Sequence, residues 1–268
     1  MATVQKDIQK NKDKTFVLNI SLAKEDITHQ RQHVLQEVQA NFETKGFRKG
    51  KAPLNVVESN VAESKIIEEV LSHLVSHEYQ QLVEKHQLQP VIQPQVKVLN
   101  PPIAFDKEWE IEITGCELPE ITLDSKYVDD VKKVNVSKED DNEKLNQTIE
   151  ALVKHAQVEL PEIIIKADMD NKLGQLIDQT QNAGISVVDY LKSRGQTLEK
   201  YQEELKKQIQ SEWIVNLCID KIAREQKLEV TPEEVKEIVT KNPQLGQNIN
   251  LVYYLLTQQK VFEFLKKL

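Results

Sequence analysis

The spacing of apolar and polar positions changes several times along this chain. Between Lys14 and Leu22, in "KTFVLNISL", Phe16, Leu18, Ile20 and Leu22 occupy every second position, the period of a strand with one buried face. From Asp26 the interval lengthens. Ile27, Val34, Val38 and Phe42 recur at helical spacing, which predicts a helix to about Thr44, closed by Gly46. A longer helix is predicted from Leu54 to about His86, with Val57, Ile67, Val70, Leu71, Leu74, Tyr79 and Leu82 as its apolar stripe. Four prolines in "QPVIQPQVKVLNPP" break that pattern, and Val96 and Val98 alternate as an extended segment. Phe105, Trp109, Ile111 and Ile113 alternate again. Two or three strands and two helices make an α+β module of residues 1–118.

Beyond Leu118, "PEITLDSKYVDDVKKVNVSK" reads as a partly extended linker, residues 119–136, and everything after it is helical. Ser137 to Asp140 resembles a capping box, with a helix following through Leu145, Ile149 and Leu152. Pro161 opens a helix that Gly184 can close, and a short helix around "VVDYLKSRG" ends at Gly195. A long helix from Leu198 to about Lys227 carries Leu205, Ile209, Trp213, Leu217 and Ile222 along one stripe. Thr231-Pro232-Glu233-Glu234 combines a cap, a first-turn proline and a box glutamate. The last helix, from about Gln247 to Leu268, bears Val252, Leu255, Leu256, Val261, Phe262 and Leu265. The predicted plan is an α+β N-terminal domain followed by an all-α domain, residues 137–268, with long helical arms.

Composition agrees with that plan. Aromatics at 5% and only seven glycines among 268 residues favour long helices over a sandwich or barrel. A formal charge of −8 argues against a general nucleic-acid binder, which needs a broadly basic surface. Cys116 and Cys218 stand in no CxxC or Cys/His cluster, so two free thiols in a reducing cytoplasm are expected. "MATVQKDIQKNKDKTF" has no apolar stretch of a leader, and the longest apolar run, "LVYYLL", is too short to span a membrane.

Against this acidic background, Lys45, Arg48, Lys49 and Lys51 cluster around Phe47 in "ETKGFRKGKAP". The segment joins two predicted helices, so it projects from the tip of a helix-loop-helix. Gly46 and Gly50 let the backbone turn, and Pro53 fixes the entry to the second helix. A basic loop is ordinarily a solvated turn. An exposed aromatic ring among the cations sets this one apart.

"GFRKGKAP", Gly46 to Pro53, resembles the signature of the bacterial trigger factor family, G-F-R-x-G-x-x-P, at every specified position. "LPEIII", "GISVVDYLKSRGQTLEKY" and "LCIDKIAREQKLEVTPEEV" are similar to the helical substrate-binding domain of the same family. The resemblance implies an ATP-independent chaperone without cofactors. It would dock on the large ribosomal subunit beside the exit tunnel through Gly46, Phe47, Arg48, Lys49, Gly50, Lys51 and Pro53, with Phe47, Arg48 and Lys49 in contact. Nucleic acid would be met only through the ribosome. Nascent or unfolded polypeptides are the implied clients, and homodimerisation is left open. Ile163, Ile164, Leu176, Leu217, Val252, Tyr253 and Leu256 are candidates for the client-binding surface, against the plain alternative that they form the domain core. Family members carry a prolyl-isomerase domain between connector and helical domain. The short connector here holds none, so no isomerase activity is expected.

Other chemistries find little support. His29/His33 and His73/His77 have the i, i+4 spacing of metal ligands, but Gln30 and Leu74 stand where a zincin has glutamate. There is no G-x-S-x-G and no glycine-rich phosphate loop, and "KEDDNEK" lacks the ligand order of a calcium loop. Neither a catalytic residue nor a metal site is expected. A chaperone or assembly factor acting on a soluble partner through the same fold is the alternative to ribosome docking.

Overall fold

The computed structural model describes residues 7–268, which divide into two units at Leu118/Pro119. The first six residues read for a leader lie outside the described part. In the first unit, strands β1 (Asp7–Lys10), β2 (Thr15–Leu22), β3 (Gln95–Val98) and β4 (Trp109–Cys116) form an antiparallel sheet of order β1-β2-β4-β3. The alternation seen in β2 and β4 is the buried face. Leu18 stands opposite Ile113, Ile20 opposite Ile111 and Leu22 opposite Trp109, all buried. Phe16 stands opposite Gly115, and its ring fills the space a side chain would need: a Cβ on Gly115 would lie 2.3 Å from the Phe16 ring.

Helix α1 (Lys24–Asn41), the short α2 (Leu54–Asn60) and α3 (Glu63–His86) supply the rest of this core through Ile27, Val34, Leu35, Leu54, Ile66, Val70, Val75 and Leu82. Two boundaries differ from the sequence reading. Helix α1 ends at Asn41, with Phe42 extended, so Gly46 belongs to the loop beyond and does not close the helix. The helix predicted over Leu54–His86 is broken at Val61 and Ala62, both in extended conformation. The side chains of Ser59 and Asn60 donate to the Val56 carbonyl at 3.1 and 2.8 Å, competing with the backbone bond that would continue α2.

The second unit contains β5 (Thr122–Leu123), α4 (Tyr127–Asn135), α5 (Asp141–His155), β6 (Ala156–Gln157), α6 (Glu162–Asn182), α7 (Val187–Ser193), α8 (Leu198–Glu225), α9 (Pro232–Lys241) and α10 (Ile249–Leu265). The 28 residues of α8 extend roughly 42 Å at 1.5 Å per residue, and the helix serves two cores. Leu205 and Ile209 pack with Ile165 of α6, whereas Cys218, Ile219, Ile222 and Ala223 pack with α4, α5 and α10. The stretch expected as a linker, residues 119–136, is structured. β5 pairs with β6, and α4 buries Tyr127 and Val131 one turn apart. Helix α5 is capped by Asp140, which accepts from Asn142 and Glu143, rather than by Ser137. The box at Thr231 and Glu234 is complete.

Asp130 of α4 fastens that helix to α5. Its carboxylate lies 2.9 Å from His155 Nε2, Lys133 Nζ and Lys154 Nζ. These contacts, His155 first and then the two lysines, hold Asp130 well below the usual carboxylate range. Among the described residues no helix is long and apolar enough to cross a membrane.

Two outcomes follow in thermal unfolding. Gly115→Ala should destabilise by about 1–3 kcal/mol through overpacking against Phe16. Gly174→Ala, in α6 with open space at the added Cβ, should stabilise by up to about 1 kcal/mol. A group with a depressed folded pKa stabilises above its unfolded value and loses that contribution as pH falls. The transition of the second unit should therefore drop as pH falls below about 4, and Asp130→Asn should flatten that drop.

Candidate functional site

The basic segment is built as two turns in succession where α1 gives way to α2. In the first, the Phe47 N–H donates to Thr44 O at 3.1 Å, and Gly46 takes the third position with φ +92°. In the second, Lys51 N–H donates to Arg48 O at 3.0 Å, and Gly50 takes the third position with φ +74°. A turn with left-handed backbone at its third residue selects glycine there, which accounts for the G-x-x-x-G spacing. Gly50 is doubly constrained, because a Cβ would lie 3.1 Å from the Ala40 carbonyl oxygen.

The ends of the loop are tied down. Gly50 N–H donates to Phe42 O at 3.0 Å, and Gln39 Nε2 donates to Ala52 O at 2.7 Å. Ala52 is fully buried, and the Pro53 carbonyl accepts from Val56 and Val57 at the start of α2. Further down, Arg31 of α1 pairs with Glu58 of α2, its guanidinium 4.6 Å from the centre of the Phe105 ring.

What remains free is the middle. Phe47 is 40% exposed, and Arg48 and Lys49 beside it are exposed. Among the described residues the side chains of Lys45, Arg48, Lys49 and Lys51 have no ion-pair or hydrogen-bond partner. The fold thus holds an aromatic ring and four uncompensated cations on a braced loop. Chemically this suits a surface offering phosphate or carboxylate together with an apolar or stacking pocket.

The candidates for an apolar client surface divide differently. Ile164, Leu176, Leu217 and Val252 are buried, so they serve packing in the second unit. Ile163 and Leu256 are half-buried, and only Tyr253 is exposed. Sequence spacing missed the exposed neighbours: Ile249, Leu251, Tyr254 and Leu255 of α10 are each at least 40% accessible. The signal was present in "INLVYYLL", a run apolar on all sides, which one buried face cannot absorb.

The remaining reactive groups are occupied or shielded. Cys116 and Cys218 are buried free thiols, and burial pushes both pKa values up to about 12, with Asp13 and Glu117 adding to the effect at Cys116. The His29 and His33 rings meet edge-on at 4.8 Å, and Gln30 Nε2 lies 3.0 Å from His73 Nδ1. Among the described residues no group of three or more His, Cys, Asp or Glu is gathered to hold a metal ion.

Comparison with known proteins gives consistent results for both halves. Residues 4–152 match the family model described as bacterial trigger factor protein, and residues 126–267 match that of the trigger factor C-terminus. A trigger factor of Natranaerobius thermophilus is 27% identical over 165 residues, covering 59% of this chain and 35% of that protein. One of Clostridium botulinum is 31% identical over 121 residues, covering 45% of this chain and 27% of that protein. The chain thus spans about a third of the length of the curated relatives it matches. A solved structure reported as "Promiscuous Substrate Recognition in Folding and Assembly Activities of the Trigger Factor Chaperone" superposes with a TM-score of 0.59 at 13% identity. The match covers 97% of this chain and 99% of that one, and it shows the fold.

Because the loop is braced by backbone bonds and not by its exposed side chains, the triple variant Phe47→Ala, Arg48→Ala, Lys49→Ala should unfold within about 0.5 kcal/mol of the parent. Gly50→Ala should cost about 1–3 kcal/mol, since it forces a side chain into a left-handed residue against Ala40. Denaturant unfolding of both variants checks this.

Proposed function

Because this chain belongs to the bacterial trigger factor family, we propose that it is a ribosome-associated, ATP-independent chaperone of the cytoplasm. The observation that carries this reading is the braced loop that exposes Phe47, Arg48 and Lys49 in a chain of net charge −8. Such a chain is repelled by an RNA-rich particle as a whole, so a local cationic point must make the contact. Arg48 can bridge a phosphate or carboxylate through two N–H groups, Lys45, Lys49 and Lys51 add point charge, and Phe47 fills an apolar or stacking pocket. The docking site so proposed is the large subunit beside the polypeptide exit.

Capture of the client falls to the second unit. The exposed apolar residues of α10, Ile249, Leu251, Tyr253, Tyr254 and Leu255, offer a surface for emerging hydrophobic segments. Burial there gains roughly 25 cal/mol per Å² without directional demands, as a binder of many sequences requires. Release follows when the client folds and buries its own apolar surface. This reading includes no covalent or isomerase step, and residues 119–136 form β5 and α4 at the start of the second unit.

The test is sedimentation with salt-washed ribosomes. The parent should pellet at low salt and less so as salt rises, while the Phe47, Arg48, Lys49→Ala variant stays in the supernatant. A Leu251→Ser, Leu255→Ser variant should pellet like the parent yet fail to suppress aggregation of a denatured protein. If parent and triple variant both stay in the supernatant, ribosome docking fails, and a chaperone or assembly factor binding a soluble protein partner through the same fold takes its place.

A further inference from the structure

We propose that the free edge of β3, with the groove between β3 and α3, captures an extended apolar polypeptide segment bearing a cation near one end, which adds to the sheet as an antiparallel strand. This rests on the reading of the chain as a binder of unfolded polypeptides, and it assigns to the first unit a capture site separate from α10.

Several observations converge on that edge. Strand β3 ends the sheet order β1-β2-β4-β3. Its register on β4, with Leu99 N–H donating to Glu110 O at 2.8 Å, directs Gln95, Lys97 and Leu99 toward β4. The N–H and C=O groups of Val96 and Val98 therefore face outward. Beside them, Val96 with Pro94 and the α3 residues Leu71, Val75 and Tyr79 lines a groove of about 570 Å³. Val96, on the face it shares with Ile113, is about two-fifths exposed, so an apolar side chain stays open at this edge. Tyr79 also lines the groove, its hydroxyl buried away from solvent without a hydrogen-bond partner. Glu68 lines the groove with no ion-pair partner, which selects an occupant carrying Lys or Arg at that end.

The edge is limited but not closed. Pro94 before it and Pro101-Pro102 after it confine the ladder to four residues, and Lys97 is engaged with Glu112 at 3.9 Å. These features block open-ended sheet growth and still leave two outward N–H and C=O pairs. A short strand can use both, its alternate side chains entering the apolar groove.

A capped, fluorescent peptide, Lys-Thr-Val-Thr-Val-Thr-Val-Thr, is titrated with the full chain by anisotropy. In the antiparallel arrangement the valines share the face of Val96 and their N–H groups point at β3. N-methylation of the valines should weaken binding at least about tenfold, because two hydrogen bonds are lost, while N-methylation of the threonines leaves it within about twofold. Ser76→Trp, at an exposed residue lining the groove, should abolish binding with an unchanged circular dichroism spectrum. Equal binding of all three peptides, full binding to Ser76→Trp, or dimerisation of the chain through this edge in place of peptide binding would each overturn the proposal. Aggregation suppression is measured alongside. Protection without peptide binding sinks the β3 site alone, whereas absence of both removes the chaperone reading as well.

Discussion

The contact of the Phe16 ring with the bare backbone of Gly115 fixes the register on which the first unit depends. With those two residues opposed, Leu18, Ile20 and Leu22 meet Ile113, Ile111 and Trp109 on one face. A slip of one residue would send every one of these side chains to the other side of the sheet. Only Ala23 separates β2 from α1, so the register also sets where α1 begins and which of its residues reach the sheet. Ile27, Val34 and Leu35 then lie against the apolar face, with α3 alongside. The loop some thirty residues from Phe16 inherits its position from that pairing, and its own backbone bonds only hold its shape.

That division between frame and loop explains why the exposed cations can be left uncompensated. At full exposure an unpaired lysine or arginine keeps its hydration and costs the fold almost nothing, whereas a partner would both cost side-chain entropy and neutralise the charge. The two glycines and the bonds to Phe42 and Ala52 supply the order that side-chain pairing would otherwise provide. The second unit solves a different problem. Its long α8 joins two small cores, one with α6 and one with α4, α5 and α10, leaving the N-terminal half of α10 with little to pack against.

The parts legible in the sequence are those where one residue's neighbours in the chain decide its state. Period-two alternation in β2 and β4, the box at Thr231, and the glycine spacing of the loop all belong to that kind. The parts misread depend on finer competition or on distant packing. Ser59 and Asn60 end α2 by taking a backbone acceptor, and Asp140 outcompetes Ser137 as a cap, although both segments were compatible with either outcome. Helix α4 falls in the segment that reads as linker, although Tyr127 and Val131 stand one turn apart, with Asp129 and Asp130 in the first turn and Lys132 and Lys133 in the last. The apolar candidates divide between core and surface for a deeper reason. Val252 is buried and Tyr253 beside it is exposed, and only the placement of the other helices distinguishes them.

Placing the cations on one unit and the exposed apolar helix on the other has a physical consequence. Contacts made by exposed charge are screened by salt over a length of about 8 Å at physiological ionic strength. Contacts made by apolar surface are unaffected by such screening and are strengthened by excluded salts. Were Phe47, Arg48 and Lys49 interleaved with Leu251 and Leu255, each cation would draw water into the apolar patch, and desolvating it would cost what burial gained. Carried by different units, the two surfaces respond to different conditions. In the proposed reading, where one partner is held while another is repeatedly released, contacts of unlike physical origin let one be loosened without the other.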